Sequence, residues 1–264
     1  MHRQRILSAL LLIPLFLLLV HYGSPFHFAL LIGVAVALAA WEFSCLCPVG
    51  KDAGLSLITV AGALAWHAAA VGRGDIALVG ALVAGAGLTR AMVGKMELRV
   101  NVLQAAWAVL GVTYVGGLLS FAGLLRMLPE GRELIYLVTF TTWVGDTAAF
   151  YVGSRFGRRF LAPRISPKKT VEGALGGIGG AIVTALVGSL WVWPRIGLAS
   201  AAWVGLVLAM VCILGDLCES VVKRAAAVKD SGNLIPGHGG VLDRLDSLMF
   251  ACPTLYALAR LGWF

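Results

Sequence analysis

Charged residues make up only 13% of this 264-residue sequence, roughly half the share that a soluble domain carries. Acids are the scarcer sign, 13 against 21 Lys and Arg, for a net charge of +8. Cysteines are few and odd in number (Cys45, Cys47, Cys212, Cys218, Cys252), and four lie in or beside apolar runs, so they read as small apolar fillers rather than a disulfide framework. Cys45-x-Cys47 lacks a second Cys pair or spaced histidines, which argues against zinc. No A-x-A type site follows the first apolar stretch; His21-Tyr22-Gly23-Ser24-Pro25 does. Met1–Val20 is therefore read as a first span and not as a secretory signal. No polar stretch is long enough for a separate globular core.

Hydrophobic residues are plentiful instead, at 59%, with a mean hydropathy of +0.90. Crossing a bilayer takes about 20 mostly apolar residues. Nine stretches meet that length: about 6–22, 27–46, 55–72, 75–92, 102–125, 134–152, 174–194, 198–222 and 245–263. The expected fold is an all-α, polytopic integral membrane protein of about nine transmembrane helices. Residues 1–130 hold five spans and residues 131–264 hold four, within a single membrane domain. With the N-terminus in the cytosol, sixteen of the 21 basic residues fall in cytosolic segments and five outside, which sets the orientation by the positive-inside rule. The C-terminus is then outside. The positive charge has a sufficient partner in anionic membrane lipids, and nothing resembles a nucleic-acid module.

Acids inside apolar helices are costly and mark function or a buried partner. Asp146 and Asp216 each lie six residues before the end of their expected spans, about 9 Å below the cytosolic face at 1.5 Å per residue. Asp216, Glu219, Ser220 and Lys223 share one helix face; Asp216 and Lys223 could also simply neutralise each other. The segment Lys229 to Asp246 brings Gly237, Gly239 and Gly240, which let backbone approach a ligand. It ends in Asp243 and Asp246, one turn apart. Two carboxylates there, with Asp216, look like oxygen ligands for Mg²⁺, although one alone would pass as a helix cap. Upstream, Ser166-Pro167-Lys168-Lys169-Thr170, followed by Glu172 and Gly173, sets hydroxyls and ammonium groups suited to phosphate on a fixed turn.

Ser220-x-x-Lys223-Arg224-x4-Lys229-Asp230-x5-Pro236-Gly237-His238-Gly239-Gly240-x-x-Asp243-Arg244-x-Asp246 resembles the signature of the phosphatidate cytidylyltransferases, or CDP-diacylglycerol synthases. The resemblance extends to Gly145-Asp146-Thr147-Ala148-Ala149, to the Ile165–Gly173 stretch and to Gly215-Asp216-Leu217-x-Glu219-Ser220, and so covers about the C-terminal half. It departs at Cys218 and at Ala227, where members of the family often carry Gly; a more helical turn is expected there. The resemblance implies that CTP and phosphatidic acid give CDP-diacylglycerol and pyrophosphate, that Mg²⁺ is required, alone or with a second cation, and that the protein is a homodimer.

On this reading Asp216, Asp243 and Asp246 hold the metal, and Lys223, Arg244 and Lys169 neutralise phosphate. Asp146, Ser166, Thr170, Glu172, Ser220, Arg224, Lys229, Asp230 and the Pro236–Gly240 loop with His238 serve substrate binding. The rival is a cation- or proton-coupled secondary transporter, for which Gly145-Asp146 and Gly215-Asp216, 70 residues apart, would be a repeated element.

Overall fold

The computed structural model describes residues 2–192, 196–235, 237 and 239–263, and of residues 2–9 the backbone alone. The expectations placed on Pro236 and His238 lie outside the described residues. Its helices are α1 (His2–Tyr22), α2 (Pro25–Cys45), α3 (Ala53–Gly72), α4 (Ile76–Val93), α5 (Leu98–Gly111), α6 (Leu118–Arg126), α7 (Gly131–Phe156), α8 (Val171–Trp191), α9 (Leu198–Ala225) and α10 (Leu242–Arg260). A π-helical segment, Val112–Gly117, joins α5 to α6 end to end, so the described residues contain nine continuous helical rods. Each corresponds to one of the nine apolar stretches. Six of the rods are long and apolar enough to cross a membrane: α2, α3, α4, the rod Leu98–Arg126, α8 and α9. The described apolar part of α1, Leu10–Tyr22, is shorter. α7 and α10 have the length, and they carry Asp146, Asp243 and Asp246 within it. The chain is an all-α, multi-pass membrane protein.

By its internal contacts the chain forms two compact units, one of Met1–Leu124 with Val222–Leu245 and one of Leu125–Val221 with Asp246–Phe264. The first break lies near the expected division at residue 130. Residues 222–245 group with the N-terminal helices in the first unit.

In the first unit, side-chain oxygens cap the helix starts. Ser24 accepts from His27 N, Asp52 from Leu55 N, and Asp75 from Ala77 N and Leu78 N, each satisfying donors that a helix start leaves open. Asp52 also pairs with Arg90 at 2.8 Å, which puts the start of α3 beside the end of α4. His67, buried in α3, bonds Ser120 Oγ on α6 at 3.1 Å and Ala29 O on α2 at 3.0 Å, linking three helices by one ring. Trp107 stacks on Phe43 at 4.8 Å and donates its indole N–H to the Phe43 carbonyl.

In the second unit α7 and α8 pack with almost no side chain between them. A Cβ added at Gly180 would lie 2.8 Å from Ala148 Cβ, closer than van der Waals contact allows. Between these helices runs a two-stranded antiparallel hairpin, β1 (Phe160–Ala162) and β2 (Ser166–Thr170), where a turn was expected. Both acid-bearing helices overrun their apolar spans: α7 ends at Phe156 and α9 at Ala225. Asp146 and Asp216 therefore lie ten and nine residues from the helix ends, further than the six expected, because polar turns such as Ser154-Arg155 and Lys223-Arg224 prolong each helix.

Candidate functional site

The hairpin is held at its base by the residues that start α8. Thr170 caps the helix by accepting from Gly173 N at 3.1 Å. Glu172, in the first turn, reaches back to accept from Arg158 N at 3.0 Å and Arg159 N at 3.2 Å. Both ends of the 157–170 excursion are thus fixed to one helix start. Glu172 works here as a tie for backbone and does not line the neighbouring cavity. Ser166 starts β2, its Cα paired with that of Ala162.

That cavity, about 520 Å³, opens beside the hairpin in the second unit. Asp146, Lys168, Lys169, Thr170 and Asp216 give it a polar wall, while Phe150, Leu161 and Ile213 are among its apolar lining. Lys169 Nζ forms an ion pair with Asp216 Oδ2.

Behind that pair, carboxylate oxygens of Asp216, Glu219 and Asp246 lie within 4.8 Å of one another. Glu219 is 0% exposed. Three carboxylates so close repel one another strongly unless a cation or protons offset them, and an all-oxygen set of this kind suits a hard divalent cation such as Mg²⁺. Asp216 and Asp246 were expected in a metal set. Glu219 was not, although its spacing of three residues from Asp216 already put it on the same face.

Asp243 has other work, within the first unit. Its Oδ1 accepts from Lys223 Nζ at 2.8 Å, and its Oδ2 from Gly240 N at 2.9 Å and Ser231 N at 3.0 Å. The pair is well shielded, with 13% of the Lys223 side chain and 6% of the Asp243 side chain exposed. For Asp243, which precedes the span expected from residue 245, burial pushes the carboxyl up; the Lys223 ammonium and the Gly240 and Ser231 amides more than reverse this and hold it below the usual carboxylate range. Asp243, expected as a metal ligand, accepts here from donors of the protein itself.

Gly240 was expected to offer its amide to phosphate, but that N–H is spent on Asp243. Gly237 and Gly239 take φ of 80° and 85°, a left-handed backbone that glycine adopts without penalty, and Ile235 N donates to Gly239 O at 3.0 Å across the turn. Arg224 donates to Val228 O at 3.0 Å, closing the end of α9. Ser220 is buried, whereas Lys229, Asp230 and Arg244 are exposed.

A cytidylyltransferase family model matches residues 3–261. The chain belongs to the cytidylyltransferase family. A phosphatidate cytidylyltransferase of Pseudomonas aeruginosa is 36% identical over 271 residues, covering 100% of this chain and 99% of the relative. One from Bacillus subtilis is 40% identical over 159 residues, 60% of this chain and 59% of that protein. One from Synechocystis is 46% identical over 129 residues, 48% and 43% of the two chains. Members of the family thus match over the spans of the first half as well as over the polar motifs.

Proposed function

We propose that the chain transfers CMP from CTP to phosphatidic acid, giving CDP-diacylglycerol and pyrophosphate. The observation that carries the reading is the Asp216, Glu219 and Asp246 cluster with Lys169 at the wall of a cavity that is polar on one side and apolar on the other. The relatives that match along the chain bear the name of that activity.

Both substrates are anions and neither needs a side-chain nucleophile. An oxygen of the lipid phosphate forms a bond to the α-phosphorus of CTP, and the bond from that phosphorus to pyrophosphate breaks. What the protein must do is hold two anions in line. Lys169, Lys168 and Thr170 bind phosphate oxygens, while Phe150, Leu161 and Ile213 receive the apolar part of the lipid and keep water out. Asp216, Glu219 and Asp246 would hold Mg²⁺, which when bound would offset the charge of the reacting phosphates. Asp146 lies on the polar wall as a more distant acid. Lys223 and Asp243 anchor the loop before α10, and Lys229, Asp230, Arg244, Gly237 and Gly239 serve substrate binding as the family resemblance implies. The site faces the cytosol, where CTP arrives, with the N-terminus inside and the C-terminus outside, and the protein works as a homodimer, as the family resemblance implies.

Purified protein in detergent, given labelled CTP, phosphatidic acid and Mg²⁺, is expected to yield a lipid-soluble cytidine product. Detergent removes any gradient, so a transporter would make none. Absence of product across several lipids and divalent metals would overturn the proposal.

A further inference from the structure

Glu42 was given no role by its sequence context, and it is 1% exposed near the end of α2. An ionisable group at such a position needs partners, and it has three, all about 190 to 200 residues away. Its Oε1 accepts from Val241 N at 3.1 Å. Its Oε2 accepts from Leu242 N at 2.8 Å and from Ser231 Oγ at 3.1 Å. Val241 precedes and Leu242 starts α10, where a local Ser, Thr, Asp or Asn normally caps the exposed amides. Val241 cannot do this, and Asp243 is turned back onto Ser231 N and Gly240 N. Glu42 supplies the missing cap from another helix.

The loop closes tightly around it. A Cβ at Gly232 would come 2.5 Å from Glu42 Oε1, and one at Gly240 would come 2.5 Å from Glu42 Oε2. Glycine at both places is therefore a condition for this approach. Two carboxylates, Glu42 and Asp243, between them take up the donors at both ends of the segment 231–242. Gly237 and Gly239 lie between these two tied ends.

We propose that Glu42 is a positioning residue for the nucleotide, holding the 231–242 loop in the conformation that receives the phosphates of CTP. The inference rests on the proposed reaction. It brings the first half of the chain into catalysis through the loop and not through contact with substrate.

Glu42→Gln keeps the shape but must set an NH₂ group against an N–H donor. It is expected to raise the KM for CTP about tenfold, the effect of losing one charge-assisted hydrogen bond, with kcat and the KM for phosphatidic acid within about twofold. Ser231→Ala removes one of the three bonds and is expected to move the same parameter about threefold; it carries the test if Glu42→Gln does not accumulate as folded protein. Amide exchange in detergent is expected to quicken at Val241 and Leu242 in both variants and to stay unchanged in α3. Wild-type KM for CTP in the variants, or equal losses in all kinetic constants, would overturn the inference while leaving the reaction standing. A wild type that forms no cytidine lipid overturns the reaction, and this inference with it.

Discussion

Ala227 holds a φ of 56°, a left-handed backbone that costs a side-chain-bearing residue about 1–2 kcal/mol. It does so because α9 ends there in a Schellman turn: Val228 N donates to Lys223 O and Ala227 N to Arg224 O, both at 3.0 Å. The more helical turn expected from Ala in place of Gly does not form. The two hydrogen bonds and the need to swing the chain toward Ser231 outweigh the local preference. Ala227→Gly should therefore stabilise the protein by about 0.5–1 kcal/mol, the relief of strain less the greater freedom of glycine in the unfolded chain. Thermal unfolding in detergent reads this as a small rise in midpoint; a fall would show that Ala227 contributes packing that outweighs its strain. The carboxylate cluster gives a second test at this scale. If Asp216, Glu219 and Asp246 bind Mg²⁺, adding it raises the unfolding midpoint of the wild type by mass action, and Glu219→Gln removes most of that rise. Equal rises in wild type and variant would take Glu219 out of the set. Periodicity along α9 already showed Glu219 beside Asp216. Asp243 stands one turn before Asp246, and spacing within a helix cannot reveal the Ser231 and Gly240 amides that the loop turns toward it.

The nine rods were legible because length and apolarity suffice to define a span, and in lipid a spanning segment has little choice but to be helical. The hairpin between α7 and α8 was not. Arg158–Thr170 has no alternation of apolar and polar residues, and its strands form because Glu172 and Thr170 gather the chain at the start of α8. The π-helical segment Val112–Gly117 likewise lies inside one uninterrupted apolar run. The loop between α9 and α10 shows what such ties are worth. Asp243→Asn removes the carboxylate charge from the Lys223 pair and sets an NH₂ group among N–H donors, at an expected cost of about 2–4 kcal/mol at neutral pH. Because the Asp243 carboxyl is held below its ordinary range, its contribution is fully present above the pKa it has when unfolded and is lost as pH falls through the lowered folded value. The difference in midpoint between wild type and Asp243→Asn should hence be largest near neutrality and close at acid pH. A difference that persists unchanged below about pH 3 would mean that charge is not what the anchor supplies.

For the whole chain, the proposed topology has the N-terminus inside and the C-terminus outside. Asp52 and Arg90 join the start of α3 to the end of α4. Glu42, near the end of α2, joins that end to the start of α10. In the other unit, the hairpin links the end of α7 to the start of α8, and Lys169 on it meets Asp216 in the later part of α9. These ends are the ones that adjoin the basic segments: Lys51 after α2, Arg155 to Lys169 around the hairpin, and Lys223 to Lys229 at the end of α9. Within each unit, the helix ends joined in this way are the ones that the proposed orientation places inside. The proposed orientation puts these ends on the cytosolic side and the last residues of α10 on the other. In a background with the native cysteines replaced, Asn233→Cys should be shielded from a membrane-impermeant maleimide in intact spheroplasts and react once they are lysed, while Leu261→Cys should react in both. Labelling of Asn233→Cys in intact spheroplasts would invert the topology and place the site where CTP does not reach it, whatever the chemistry of its carboxylates.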